Sequence, residues 1–262
     1  VVPKLFDHGK AYFFQGEDGR IIFAIPYETD FTLIGTTDQE HLDLETKPVC
    51  TPDEQQYLCD FASSYFAVPV TRDQIVWTFS GVRPLYDDGA SSATEATRDY
   101  VLSLDVQGAP LLNVFGGKIT TYRRLAEAAL AKLADHVPMQ GKWTAGVALP
   151  GGNFKVHEVE AKIAQLMVDY PFLGPVWAKR LIRAYGTEAW NVLGAAKTAN
   201  DLGLDFGATL TEAEAVWLRD MEYARCAADV IWRRSKLGLR LSAAQIAVLE
   251  DWFAQDRPVA TA

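Results

Sequence analysis

The chain has 262 residues, 49% of them hydrophobic and 23% charged, with 34 acidic against 25 basic side chains and a formal net charge of −9. This composition belongs to folded globular chains and excludes disordered or fibrous ones, and the acidic balance argues against a nucleic-acid partner, which needs a concentrated basic face. The longest uncharged stretches, 106–117 and 143–154, are 12 residues each, short of the ~20 apolar residues a membrane-spanning helix requires.

At roughly 150 residues per domain, a chain of this length is expected to hold two domains. Residues 10–14, 20–25 and 31–36 read as three strands of an antiparallel meander, with Asp18-Gly19 and Glu28-Thr29-Asp30 as the two hairpin breaks. Thr51-Pro52-Asp53-Glu54 is a capping box with proline at the first helical position, and Leu58, Phe61, Ala62 and Tyr65 then share one helical face. The stretch 74–82 is β-branched and aromatic and closes on Arg83-Pro84, so it reads as a strand. A loop follows at 87–92. Residues 98–104 and 111–115 read as two more strands, the second running through Gly116-Gly117-Lys118 into a helix whose apolar face carries Tyr122, Leu125, Ala129, Leu130 and Leu133.

Proline and glycine punctuate 137–153, where a domain boundary is expected. Beyond it the pattern is helical. Val156, Val159, Ile163 and Leu166 mark one helix; Trp177, Leu181 and Tyr185 mark another, stopped by Gly186. Thr211 to Glu214 and Ser242 to Gln245 read as capping boxes, and Trp217, Met221, Ala224, Ala228 and Ile231 line one face of a single long helix.

Few residues offer chemistry. Cys50, Cys59 and Cys226 are odd in number, which argues against a disulfide framework and for a reducing compartment. His8, His41, His136 and His157 are isolated, so no metal site is expected. The sharpest local signal is Gly116-Gly117-Lys118-Ile119-Thr120. Two glycines let a backbone approach a ligand closely, and the following helix N-terminus favours an anion or an electron-rich ring edge; a plain turn with a surface lysine is the bland alternative. Arg83, held between Gly81-Val82 and Pro84, suits a phosphate or carboxylate, or equally an ion pair with Asp87, Asp88 or Asp99. Gly35-Thr36-Thr37-Asp38 reads as a turn rather than a ligand rim. Arg233, Arg234, Lys236 and Arg240 complement a helix C-terminus, with membrane-surface contact as the sharper alternative.

Taken in order, several segments resemble the FAD-dependent glycerol-3-phosphate dehydrogenase family: Val1 to Lys4, Gly19 to Tyr27, Phe31 to Asp38, Ser80 to Leu85, Ala96 to Tyr100, Ala109 to Tyr122, Leu149 to Gly152 and Ala227 to Arg234. The resemblance implies a D-amino-acid-oxidase-like α+β architecture. Residues 1–107 would form part of an antiparallel-sheet substrate domain, 108–136 the last strand and helix of the FAD-binding α/β domain, 137–153 a linker and 154–262 an all-α C-terminal domain.

It further implies oxidation of sn-glycerol 3-phosphate to dihydroxyacetone phosphate, with hydride passing to FAD and electrons to a quinone. Arg83 and Lys118 would then contact substrate. Gly116, Gly117, Lys118, Ile119 and Thr120 would hold the flavin's pyrimidine edge, and the catalytic base is unassigned. A cytoplasmic location, peripheral contact with the inner face of the cytoplasmic membrane, and homo-oligomers are the matching expectations. The rival readings are a glycerophosphate oxidase that uses oxygen and a non-enzymatic helical or phosphometabolite-binding module.

The family's G-x-G-x-x-G fingerprint, which sets a pyrophosphate on a helix N-terminus, is absent from these residues. So are the family's histidine ahead of the segment matching Val1 and its upstream arginine segment. The chain is therefore expected to be the C-terminal part of a longer enzyme, binding FAD weakly or not at all by itself.

Overall fold

In a computed structural model the chain divides into two compact units, Val1–Val147 and Ala148–Ala262. The structure describes residues 1–41, 43, 45–83, 86 and 99–255.

The N-terminal unit is built on a four-stranded antiparallel sheet in the order β1-β4-β3-β2, from β1 (Val2–Pro3), β2 (Tyr12–Gln15), β3 (Ile21–Tyr27) and β4 (Phe31–Gly35). The expected meander is present, joined at its edge by the very short β1. Both hairpins require left-handed backbone: Gly19 supplies it in the first at φ +78°, while Glu28 and Thr29 adopt φ +47° and +73° in the second. Register places Phe14, Ile22, Ala24, Thr32 and Ile34 on one face. There Ile22 and Ala24 are buried, and Val2 joins Cys59, Ala62 and Val70 in a small core. The opposite face carries Phe13, Ile21 and Phe23, all exposed, with Phe13 and Phe23 in edge-to-face contact at 5.3 Å.

The helix α1 (Pro52–Ser63) begins as its sequence requires: Glu54 N–H donates to Thr51 Oγ1, and Thr51 N–H donates to Glu54 Oε2 at 2.8 Å. The expected strand over 74–82 is not formed. After a single 3-10 turn, the backbone of Val76 and Trp77 meets Val1, at 2.9 Å through Val76 N–H and 2.8 Å through the Val1 ammonium, with no ladder. High β propensity does not make a strand without a neighbouring ladder. The loop at 87–92 and the start of the next strand at Arg98 lie outside the described residues. Beyond them β5 (Tyr100–Asp105) and β6 (Leu111–Gly116) form an antiparallel hairpin, followed by α2 (Tyr122–Lys132), in which no residue is fully buried.

The C-terminal unit holds one contiguous apolar core running from Ile163 to Trp252. Its helices are α3 (Val159–Asp169), α4 (Pro175–Tyr185), α5 (Ala189–Leu193), α6 (Glu212–Met221) and α7 (Ala243–Ala254), with a small hairpin of β7 (Asp205–Gly207) and β8 (Leu210–Thr211). The segment Leu149-Pro150-Gly151-Gly152 docks against the end of α4 so closely that glycine is obligatory. A Cβ on Gly151 would lie 2.0 Å from the Tyr185 carbonyl oxygen, and one on Gly186 1.9 Å from that of Gly151.

Three expectations fail here for physical reasons. Val156 is 89% exposed, because it sits in a 3-10 turn ahead of α3 rather than on its buried face. Thr211 forms no side-chain cap, since Glu214 is turned inward instead of back to it. The single long helix is two segments: α6 ends at Met221, Tyr223 turns left-handed at φ +59°, and a π-helical turn spans Asp229–Arg234. Polar side chains make the break. Arg234 donates to the Glu222 carbonyl at 2.6 and 2.9 Å, and the Asp229 carboxylate accepts the N–H groups of Arg225 and Cys226.

Among the described residues Glu214 is the most deeply buried charged side chain of this unit. Arg180 grips it with two 2.6 Å contacts, and the Tyr185 hydroxyl donates to it at 2.7 Å. Burial and the adjoining carboxylate push the Tyr185 hydroxyl's pKa far up, so it stays a neutral donor. Among the described residues no helix is long and apolar enough to cross a membrane.

Candidate functional site

Strand β6 ends in the glycine pair. Gly116 and Gly117 adopt φ +66° and +95°, a conformation L side chains rarely enter, and a Cβ on Gly117 would sit 3.1 Å from Tyr100 Cβ on the neighbouring strand. The turn is therefore sterically specified as well as conformationally permissive. It delivers Lys118 at the head of a 3-10 turn (Ile119–Thr121) that runs directly into α2.

Neither Lys118 nor Thr121 caps this helical start with its side chain. The Lys118 carbonyl accepts from the N–H and hydroxyl of Thr121 at 3.0 and 2.9 Å, whereas the first N–H groups of a helix have no intrahelical acceptor. Ile119 is 88% exposed, so nothing apolar closes over this backbone. Such an end can hold electron-rich oxygens by direct donation and by the positive pole of the helix.

Arg83 lies at the end of the β4 layer. Its Nη1 donates to Asp38 Oδ2 at 3.1 Å, with both side chains half-exposed. Among the described residues the carboxylate that meets it is Asp38, in the segment read from sequence as a turn; Asp87 and Asp88, two of the nearby candidates, lie outside the described residues. Three residues on, Tyr86 packs against Phe115 at 5.7 Å between ring centroids, which brings the Arg83 segment to the end of β6. No hydrogen bond or ion pair among the described residues joins Arg83 to Lys118.

Sequence reasoning also missed a cleft behind the glycine turn, about 320 Å³ in volume and lined by Tyr100, Arg123, Arg124, Glu127, Ala128 and Lys142. Arg123 donates to Glu127 and to Thr144, each at 3.1 Å. The Thr144 hydroxyl, with Arg123 and Lys142 nearby, holds the Glu127 carboxyl below the usual carboxylate range. The signal was present as Tyr122-Arg123-Arg124, but nothing local announces that Thr144 returns to it. Among the described residues no group of three or more His, Cys, Asp or Glu is placed to hold a metal ion.

A positive-φ glycine pair leading into an uncapped helix start, and a half-exposed arginine, are features able to receive anionic or electron-rich groups. Residues 1–123 match the family model described as FAD dependent oxidoreductase, and residues 142–253 match that of the C-terminal domain of alpha-glycerophosphate oxidase. The chain belongs to this family of FAD dependent oxidoreductases. It is 43% identical over 258 residues to the aerobic glycerol-3-phosphate dehydrogenase of Escherichia coli, covering 97% of this chain and 51% of that protein. It is 42% identical over 261 residues to the glycerol-3-phosphate dehydrogenase of Pseudomonas aeruginosa, covering 98% and 51%. It is also 40% identical over 255 residues to the D-erythritol 1-phosphate dehydrogenase of Brucella abortus, covering 97% and 51%. The chain spans about half the length of the curated relatives it matches.

Proposed function

We propose that this chain is the C-terminal part of a flavoprotein that oxidises sn-glycerol 3-phosphate to dihydroxyacetone phosphate, with FAD as hydride acceptor and a quinone receiving the electrons. The observation that carries this reading is the 43% identity, across nearly the whole chain, to a protein named for that reaction. In the matching architecture, residues 1–107 belong to the sheet over the substrate, 108–136 close the FAD-binding domain, 137–153 link, and 154–262 form the helical domain. The working location is the cytoplasm, with peripheral contact at the membrane that holds the quinone.

The residues present fit one end of FAD. The open turn at Gly116-Gly117 and the uncapped N–H groups of Lys118, Ile119 and Thr120 suit the flavin's pyrimidine edge, whereas this chain has no glycine fingerprint for the pyrophosphate. FAD, when bound, supplies the acceptor for the hydride leaving the substrate's carbinol carbon. The backbone donors and the helix dipole stabilise negative charge at the ring edge they hold. Lys118 presents a mobile ammonium from the same turn towards substrate, and Arg83 presents the guanidinium fork that suits a phosphate.

The test is the FAD-loaded enzyme of which this chain would be the C-terminal part, under anaerobic conditions. Glycerol 3-phosphate is expected to bleach the flavin band, and a quinone analogue to restore it. Arg83→Ala is expected to cost about 1.5–3 kcal/mol in kcat/KM for glycerol 3-phosphate and to leave glycerol unaffected. Equal losses for both compounds would remove Arg83 from the site. The relative that acts on D-erythritol 1-phosphate favours a second reading in which another polyol phosphate is the substrate, and relative kcat/KM values decide between them. Peroxide formed in step with substrate would instead mark an oxygen-using oxidase.

A further inference from the structure

The segment that leaves β4 is anchored before it reaches Asp38. Thr37 Oγ1 donates to Glu54 Oε1 at 2.6 Å, and the other oxygen of that carboxylate closes the capping box of α1. Asp38 is therefore delivered by a fixed backbone, and among the described residues its carboxylate meets one nitrogen of Arg83. An ion pair with side chains 52% and 59% exposed contributes little to stability, so holding the fold is a poor explanation for it. Among the described residues this engages one carboxylate oxygen with one N–H of a guanidinium that carries five donors. A phosphate offers two oxygens and nearly two charges to the same fork, a stronger partner than a singly bound carboxylate.

We propose that Asp38 is the counter-ion of Arg83 that a substrate phosphate displaces. The proposal rests on the reading of Arg83 as the phosphate arginine and adds a selectivity element to it. Asp38 acts through Arg83 as a positioning residue: it keeps the guanidinium beside the end of β4 when no ligand is bound. It also sets a threshold that a phosphate dianion passes and a neutral polyol or single carboxylate does not. Its charge opposes the incoming dianion as well, so removing it should tighten phosphate binding, the reverse of what losing a structural ion pair would do.

Two measurements test this, each on wild type, Asp38→Asn, Asp38→Glu and Arg83→Ala. In the longer FAD-loaded enzyme, Asp38→Asn is expected to lower KM for glycerol 3-phosphate about two- to fivefold, the equivalent of one exposed ion pair. KM is expected to change more than kcat, the KM for glycerol to stay in place, and Asp38→Glu to restore the wild-type value. In the 262-residue chain titrated with inorganic phosphate, the Arg83 Nε resonance is expected to shift at a two- to fivefold lower phosphate concentration in Asp38→Asn. An unchanged or raised KM in Asp38→Asn, while Arg83→Ala still loses glycerol 3-phosphate selectively, overturns the exchange and leaves Arg83 as the phosphate residue. No phosphate response at Arg83 in any variant likewise overturns it. If Arg83→Ala affects glycerol 3-phosphate and glycerol equally, the reading of Arg83 fails and takes the proposal with it.

Discussion

The two units differ in how much of their apolar surface they cover themselves. In the C-terminal unit, α4 buries Ala178, Leu181, Ile182 and Tyr185, and the core extends without a gap from Ile163 to Trp252. In the N-terminal unit, α2 buries nothing fully, and the small core beneath the sheet comprises Val2, Cys59, Ala62 and Val70. Phe13, Ile21 and Phe23 on the sheet, Leu111 and Val114 along β6, and Phe115 and Ile119 about the glycine turn are all exposed. Contiguous exposed apolar surface marks a place where something else binds. The unit bearing the candidate site is thus the one left open, while the helical unit buries a core of its own.

The strongest way to break that contrast is to attack the helical unit's buried charge. Glu214 is 1% exposed and its partner Arg180 is tied to it and to Thr209. Removing one member of a buried pair leaves an uncompensated charge, so Glu214→Ala is expected to cost about 3–5 kcal/mol. Urea unfolding followed by tryptophan fluorescence reads it, because five of the seven tryptophans, Trp177, Trp190, Trp217, Trp232 and Trp252, lie in this unit. A loss below about 1 kcal/mol would mean that water already reaches the pair.

A matched pair of truncations sharpens the comparison. Leu166 is fully buried and Leu130 is 50% exposed. Leu166→Ala should cost about 2–5 kcal/mol through lost burial and a residual cavity, whereas Leu130→Ala in the isolated chain should fall within about 0.5 kcal/mol. Thermal unfolding of both variants checks this. Comparable losses would show that α2 is covered in solution by a second copy of the chain.

What the sequence made legible divides along the same physical line. Thr51-Pro52-Asp53-Glu54, Ser242 to Gln245, the Asp18-Gly19 hairpin and the stop at Gly186 are local devices whose partners lie within a few residues, and all four stand as read. The failures involve partners far along the chain. Glu214 has the spacing of a capping residue but answers to Arg180, 34 positions earlier. Asp38 and Arg83 are 45 apart. Residues 74–82 have strand propensity and lack a ladder. The period from Trp217 to Ile231 runs unbroken through a helix break held by Arg234 and Asp229, because apolar spacing carries no record of side chains that cap backbone groups. The glycine turn was visible as a turn, but its steric fit against Tyr100 was not.

The smallest expected effect concerns how an under-buried unit holds its site in place. With little core to rely on, the N-terminal unit ties the end of β4 to α1 through Thr37 and Glu54. The Thr37 hydroxyl is the main cause that lowers the Glu54 carboxyl below its ordinary 4.5, with Thr51 adding to it. A carboxylate whose folded pKa is depressed stabilises the fold fully above the unfolded value, and that contribution is lost as pH falls through the folded one. Thr37→Val should therefore cost about 1 kcal/mol at pH 7, the low end for a bond to a charged acceptor because Glu54 is partly exposed. The difference from wild type should shrink as pH drops below 4.5 and vanish once both proteins carry a protonated Glu54. Amide exchange at Glu54 and Gln55 across that range reads the tie locally. A difference that stays constant with pH would mean that methyl packing, not the hydroxyl–carboxylate bond, holds the strand end, and Asp38 would then be presented to Arg83 by shape alone.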